Sequence, residues 1–279
     1  MFLAESNVYA IELIALGHKA RSALLASRGI ARPLRAFPKA PYFEAGGEII
    51  WIGQHLPARH PRAAITAHPV ATGQIVTLGV LPEFTWRCEL PPMSAIDPGI
   101  VRETAGALLD TARALGPARG FGALLCHTEL DFPLTLALDR VCRLARAYAL
   151  GDATSVHNAS KALLGLGAGL TPSGDDLVAA ALFGHRLINQ DEAWARVGSE
   201  LVRDADTATH AISAALLGDT VAGESFEPLH ALADALVAGD AGAALAAARA
   251  LVCIGHASGW DMFTGFLLGI LPQRIIVDG

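Results

Sequence analysis

Residues 165–176 read Gly165-Leu166-Gly167-Ala168-Gly169-Leu170-Thr171-Pro172-Ser173-Gly174-Asp175-Asp176, and an apolar run from Leu177 to Phe183 follows. Thr171 before Pro172 fits a helix N-cap with proline at the first helical position, where its missing N–H costs nothing. Ser173 with Asp176 three residues on offers a second, capping-box-like start. Either way a glycine-rich loop feeds a helix N-terminus, and the unpaired N–H groups and positive dipole end there attract an anion. No lysine follows the glycines and their spacing is Gly-x-Gly-x-Gly, so neither the P-loop nor the dinucleotide fingerprint is present.

A second copy of the signal lies downstream. Residues 255–261 read Gly-His-Ala-Ser-Gly-Trp-Asp, and Ser258-Gly259-Trp260-Asp261 aligns with Ser173-Gly174-Asp175-Asp176. Small residues follow each start (Ala179, Ala180, Ala181 and Gly184; Gly265 and Gly269), which leaves room for two helices to approach closely. This pattern predicts two helix N-termini facing one point. Asp176 and Asp261 would stand on its wall, His256 at its rim, and four or more backbone N–H groups would serve one anion. Two independent capping boxes are the plainer reading, but they leave Asp175 beside Asp176, and His256 beside Gly255, without a role. Carboxylates beside an anion-attracting dipole conflict unless a cation or an ammonium or amide donor sits between them. Mg²⁺ bridging carboxylate and phosphate is one resolution; a substrate with an amide end and an acidic end is another. The residues leave both open, with no metal ligand set assigned and no cofactor required.

Outward from these motifs the pattern is helical. Apolar periodicity and punctuation predict helices over 99–115, 131–149, 154–164, 174–189, 191–205, 207–218, 226–238, 240–254 and 259–271. Residues 121–128 fit a strand or a buried loop, and a terminal strand fits 274–277. Thr207, Thr209, His210 and Ser213 form a polar run before an apolar helix, with Thr209 and Ser213 spaced to share one face. Before residue 95 the character changes. Residues 8–28 look helical near their start, and then short β-prone runs appear at 47–54, 63–67, 74–81 and 84–90, punctuated by Pro and Gly. The expectation is an α+β chain, with a β-rich N-terminal domain (a small barrel or sandwich) over 1–95 and an all-helical domain over 96–279.

Composition narrows the class. Hydrophobic residues make up 52% of the 279 and charged residues only 17%, which favours apolar partner-facing surface. The net charge of −6 argues against nucleic acid. Arg113, Arg119, Arg140, Arg143 and Arg146 read as a solvated helix face. Cys88, Cys126, Cys142 and Cys253 lack metal or disulfide spacing and read as buried thiols. No uncharged apolar stretch is long enough to span a bilayer, and Glu5 and Glu12 do not suit a signal peptide. A cytoplasmic protein is expected. The histidines other than His256 show no ligand spacing, and no Ser-His-Asp order or nucleophile elbow is present.

Gly-Leu-Gly-Ala-Gly-Leu-Thr-Pro-Ser-Gly-Asp-Asp at 165–176, with Gly-His-Ala-Ser-Gly-Trp-Asp at 255–261, resembles a bacterial family that includes the AllH subunit of oxamate carbamoyltransferase, from anaerobic allantoin catabolism. Ala257 departs from the serine usual there, and the segment 209–217 is similar to the family's Thr-x-x-x-Ser helix. The resemblance covers roughly 155–271. It implies a part in carbamoyl transfer between carbamoyl phosphate and oxamate, in company with two other subunits, one of them larger and acyl-CoA-synthetase-like. On this reading Gly165, Gly167, Gly169, Thr171, Ser173, Gly174, Ser258, Gly259, Thr209 and Ser213 bind a small anionic substrate. Asp175, Asp176 and Asp261 orient an amide or a metal, and His256 acts as general acid or base. Replacing Asp175 or Asp176 by alanine is expected to end binding while leaving the fold intact. The alternatives are a noncatalytic assembly subunit and a stand-alone anion binder.

Overall fold

The computed structural model describes residues 9–35, 42–54, 58–70, 75–78, 81, 85–189 and 191–275. The chain divides into two compact units, 1–88 and 89–279. The first is β-rich and the second helical, so the α+β class is as the sequence implies.

Among the described residues of the first unit, seven strands form one sheet: β1 (Tyr9–Ala10), β2 (Leu13–Leu16), β3 (Ile30–Arg35), β4 (Tyr42–Ala45), β5 (Glu48–Gly53), β6 (Ala63–Thr66) and β7 (Val76–Thr77). Their order is β1-β7-β3-β4-β5-β6-β2, with β1–β7 and β5–β6 parallel and the other pairs antiparallel. Helix α1 (His18–Ala26) lays Ala20, Ala23 and Leu24 on Phe43, Ile50 and Ile52 of the sheet. The helix expected near the start of 8–28 is therefore displaced: Leu13–Leu16 is a strand paired with β6, and the helix begins only at His18. Gly17 divides the two, where a Cβ would lie 2.3 Å from the Pro61 carbonyl oxygen. The strand expected over 84–90 reduces to one bridge between Gly17 and Trp86. Residues 74, 79–80 and 84, within the runs read as β-prone, lie outside the described residues.

The second unit holds α2 (Pro98–Asp110), α3 (Gly122–Cys126), α4 (Leu138–Leu150), α5 (Ala153–Lys161), α6 (Ser173–Arg186), α7 (Glu192–Ala208), α8 (Ala211–Val221), α9 (Glu227–Val237), α10 (Ala241–Val252), α11 (Ser258–Ile270) and α12 (Pro272–Ile275). Two corrections arise here. Residues 122–126 are a short helix, with Gly122 packed under the Trp260 ring. Residues 272–275 are helical, not the start of a strand, and 276–279 lie outside the described residues. Of the four cysteines read as buried thiols, only Cys88 and Cys126 are buried; Cys142 is half-buried and Cys253 exposed.

A repeated plan organises the unit. Helix α4 ends at Gly151 in the left-handed conformation (φ 67°), and Asp152 then caps α5 through the Ser155 N–H at 3.1 Å. Beyond α9, Gly239 (φ 69°) plays the same part, and Asp240 caps α10 through the Ala243 N–H at 2.9 Å. Each hairpin leads through a glycine-bearing loop into a Ser-Gly-x-Asp helix, α6 after the first and α11 after the second. Helix α11 is buried on every side, from Gly259 to Ile270, as a helix apolar all round must be.

Candidate functional site

Helices α6 and α11 lie directly against each other. A Cβ on Gly265 would sit 2.1 Å from the Leu177 carbonyl oxygen, and one on Gly269 2.1 Å from that of Ala181. The contact advances four residues along both helices in the same direction, so the two run parallel and their N-termini meet. Two positive dipole ends together repel, and a carboxylate in the first turn of each offsets this.

The side chains at this junction cross from one motif to the other. Neither helix has a side-chain cap: Pro172 occupies the N-cap of α6 and Ala257 that of α11. The capping readings for Thr171 and Ser173 are thereby corrected. Thr171 meets the Ser258 hydroxyl at 3.1 Å. Ser258 and Thr171 lie beside Asp176, and Ser173 lies beside Asp261, where these hydroxyls favour the ionised carboxylates. The serine of each motif thus serves the aspartate of the other.

Asp176 is 9% exposed and Asp261 1%. The Phe121 N–H donates to Asp261 Oδ1 at 2.6 Å. The Oδ2 atoms of both residues are buried and, among the described residues, have no hydrogen-bond partner. Burial raises the Asp176 carboxyl well above its usual range, and the neighbouring Asp261 raises it further. Burial also carries Asp261 up to about 7, against the opposing pull of the Phe121 amide and the Ser173 hydroxyl. Both carboxyls are thus held toward the protonated form, and like-charged neighbours of this kind titrate as a coupled pair.

Asp175, 2% exposed, has a different setting. It accepts from the Gly165 N–H at 2.7 Å, from Ser213 Oγ at 2.7 Å and from Thr209 Oγ1. Thr209 ends α7 in extended conformation and Ser213 lies on α8, so the two are not neighbours on one helix face. Together they fasten the glycine loop and the α7–α8 corner to α6.

The backbone amides of the two helix starts are mostly spent. Gly174 N–H donates to the Leu166 carbonyl and Gly259 N–H to that of Ile254, both at 2.9 Å. Asp175 and Asp176 donate to Pro172, and Asp261 to Ala257. Of the N–H groups expected to cradle an anion, these five therefore already donate to carbonyls of the chain itself. Gly167 packs against Ser173, while Gly169 is exposed with nothing near its Cβ position. His256 is exposed, and among the described residues its imidazole has no hydrogen-bond partner. Among the described residues no group of three or more His, Cys, Asp or Glu could hold a metal ion.

The loop before α3 is the part that motif reading misses. A Cβ on Gly120 would lie 2.2 Å from Asp261 Oδ1, so only glycine, here at φ 54°, lets the Phe121 amide reach that carboxylate. Arg119, next in the loop, donates to the His256 carbonyl at 3.4 Å. Of the arginines read as a solvated helix face, Arg140, Arg143 and Arg146 lie exposed on α4, Arg140 donating to the Ala162 carbonyl at 2.9 Å and Arg143 pairing with Asp139 at 2.9 Å, while Arg113 and Arg119 lie outside it, Arg113 donating to the Cys126 carbonyl at 3.0 Å. The only signal for this loop is the run Arg119-Gly120-Phe121-Gly122.

Residues 163–270 match the family model described as oxamate carbamoyltransferase subunit AllH, in agreement with the resemblance carried by the motifs. The match spans α6 to α11 and includes both Ser-Gly-x-Asp starts. No curated protein and no solved structure matches the chain. At a coarse level the match supports a carbamoyltransferase-associated subunit, and a family named for a subunit implies a multi-subunit complex. Among the described residues no helix is long and apolar enough to cross a membrane.

Proposed function

We propose that this chain is a cytoplasmic subunit of a carbamoyltransferase complex, and that it binds a small anionic substrate at the joined starts of α6 and α11, with the substrate's amide end between Asp176 and Asp261. The observation that carries this reading is the pair of buried, unpartnered Oδ2 atoms. Leaving such acceptors unmet costs about 1–3 kcal/mol each, and an –NH₂ group has two N–H donors to meet them. A carboxyl raised to about 7 also suits proton transfer at neutral pH. In transfer from carbamoyl phosphate to oxamate, the acceptor nitrogen bonds to the carbamoyl carbon and the carbon–oxygen bond to phosphate breaks. The nitrogen's proton passes to the ionised carboxylate of the pair, and phosphate leaves. Asp175, whose two oxygens already accept from three donors of the chain, positions the loop and takes no part in the proton transfer.

The test is carbamoyl transfer by the purified chain assembled with its two partner proteins, using carbamoyl phosphate and oxamate. Asp176→Asn and Asp261→Asn should each lower kcat by about a hundredfold or more while the chain still assembles. Wild-type rates in both variants would refute the reading. A chelator titration separates proton transfer from a Mg²⁺ bridge between the same carboxylates: the proton reading expects no loss of rate. An assembly role has its own observation, the exposure of Phe132 (80%) and Leu136 (71%) in the turn before α4. Serine at both positions should weaken assembly without changing ligand binding by the isolated chain.

A further inference from the structure

We propose that Arg119 is the anion-recognition residue of this site, taking the carboxylate or phosphate end of a ligand whose amide end meets Asp176 and Asp261. The inference on the amide end rests on the reading above; the arginine end stands on separate observations.

The helix starts do not supply the charge that an anion needs. Their amides at Gly174, Asp175, Asp176, Gly259 and Asp261 donate to carbonyls of the chain itself, and the Gly165 amide donates to Asp175. The junction instead brings two buried carboxyls, each with one unpartnered oxygen. A small anion approaching it needs a cation at the rim, and Arg119 fits. Arg119 is exposed, and the same loop delivers the Phe121 N–H to Asp261 two residues later. Its guanidinium lies over the segment entering α11, where Nη1 makes a long 3.4 Å hydrogen bond to the His256 carbonyl. Among the described residues it has no carboxylate partner.

A guanidinium has five N–H donors in a planar fork that matches a carboxylate or a phosphate edge. One long bond to a carbonyl leaves most of that fork unused. Asp261 does not absorb its charge either, since a guanidinium paired with that carboxylate would hold its pKa low, and the group is raised. The rim therefore carries a positive end and the interior an amide-accepting end. The ligand class is a short molecule with an oxyanion at one end and a primary amide or carbamoyl group at the other.

The experiment is calorimetric titration of the full chain with two probes, inorganic phosphate and oxamate. Wild type should bind at least one. Arg119→Ala should weaken that binding by about tenfold or more, the loss expected for a bidentate charge-assisted contact. Arg119→Lys should recover only part of it, because a point charge does not replace the fork. Asp176→Asn should weaken oxamate and leave phosphate unchanged. Oxamate binding without phosphate binding assigns the fork to a carboxylate, and the converse to a phosphate. Equal affinity in wild type and Arg119→Ala would overturn the proposal, and so would a wild-type chain that binds neither probe. Anion binding lost in Arg119→Ala, in a chain that supports no carbamoyl transfer with its partners, would uphold the arginine and refute the transferase reading alone.

Discussion

The starts of α6 and α11 share a plan and differ at one position. Both follow a hairpin closed by a left-handed glycine and an aspartate cap, and both place Ser-Gly-x-Asp at the first turn. In both, the glycine of Ser-Gly packs 2.0 Å from a carbonyl oxygen of the preceding segment, Leu163 in one and Leu251 in the other, measured from where a Cβ would stand. The variable position is Asp175 in α6 and Trp260 in α11. Asp175 ties its helix to the glycine loop, Thr209 and Ser213; Trp260 packs its helix on Gly122 of α3. The residue that differs thus anchors each helix to its own neighbours. The residue common to both, Asp176 or Asp261, keeps an unmet oxygen. Of the adjacent carboxylates in one motif, one is met by donors of its own neighbours and the other keeps an unmet oxygen.

The largest effect should come from breaking the contact that joins the two starts. Gly265→Val puts side-chain atoms where the Leu177 carbonyl stands, at 2.1 Å from the Cβ position. Backbone on both sides cannot yield, so a loss of about 3 kcal/mol or more is expected, seen as a lost or much earlier thermal transition. A melt like that of wild type would mean that the helices need not touch.

The variable positions come next. Trp260→Ala should cost about 3–5 kcal/mol through the cavity left over α3. Asp175→Ala should cost about 1–3 kcal/mol for each buried donor it strands, measured by urea unfolding. The sequence alone suggests that Asp175→Ala leaves the fold intact; its partners in the structure argue the reverse. Asp175→Ala with unchanged stability and no ligand binding would restore that first reading.

The shared aspartates should behave oppositely. Both folded pKa values lie above the ordinary 3.8, that of Asp261 at about 7, so above 3.8 the folded chain holds protons that the unfolded chain has released. Their contribution to stability is full below the ordinary value and is lost as pH rises toward the folded one. Each pH unit in that window is worth about 1.4 kcal/mol per proton. Asp261→Asn, which can still accept from Phe121, should melt higher than wild type at about pH 8 and show a flatter pH dependence. A steeper dependence, or a lower melting temperature at that pH, would place the charged form in a stabilising environment and break the contrast with Asp175.

The sequence made the local parts of this account legible. The helix starts, the Gly-Asp break at 239–240 and the equivalence of Asp176 and Asp261 depend on short-range chemistry, and residue spacing displays it. The small residues at Gly265 and Gly269 announced a close neighbour. What stayed hidden is long-range. Ser173 as a capping residue and Ser173 serving Asp261 have the same local sequence, and only the parallel packing of α6 and α11 chooses between them. Loop amides cannot be seen to be spent until the loop is folded onto them. Asp261 accepts from Phe121, 140 positions away, and no local pattern links the two. In the β-rich unit, Leu13–Leu16 suits helix or strand by composition, and pairing with β6 decides.

The central claim is that Asp176 and Asp261 are one coupled pair of buried carboxyls. Titration of the aspartate side-chain carboxyls by carbon-13 NMR tests it most directly, in wild type and in Asp261→Asn. The account predicts two carboxyls titrating well above the ordinary 3.8, one of them near 7. It also predicts that in Asp261→Asn the Asp176 midpoint falls below the higher wild-type value, because its like-charged neighbour is gone. Two carboxyls titrating at the ordinary value, or an Asp176 midpoint unmoved by the substitution, would contradict it.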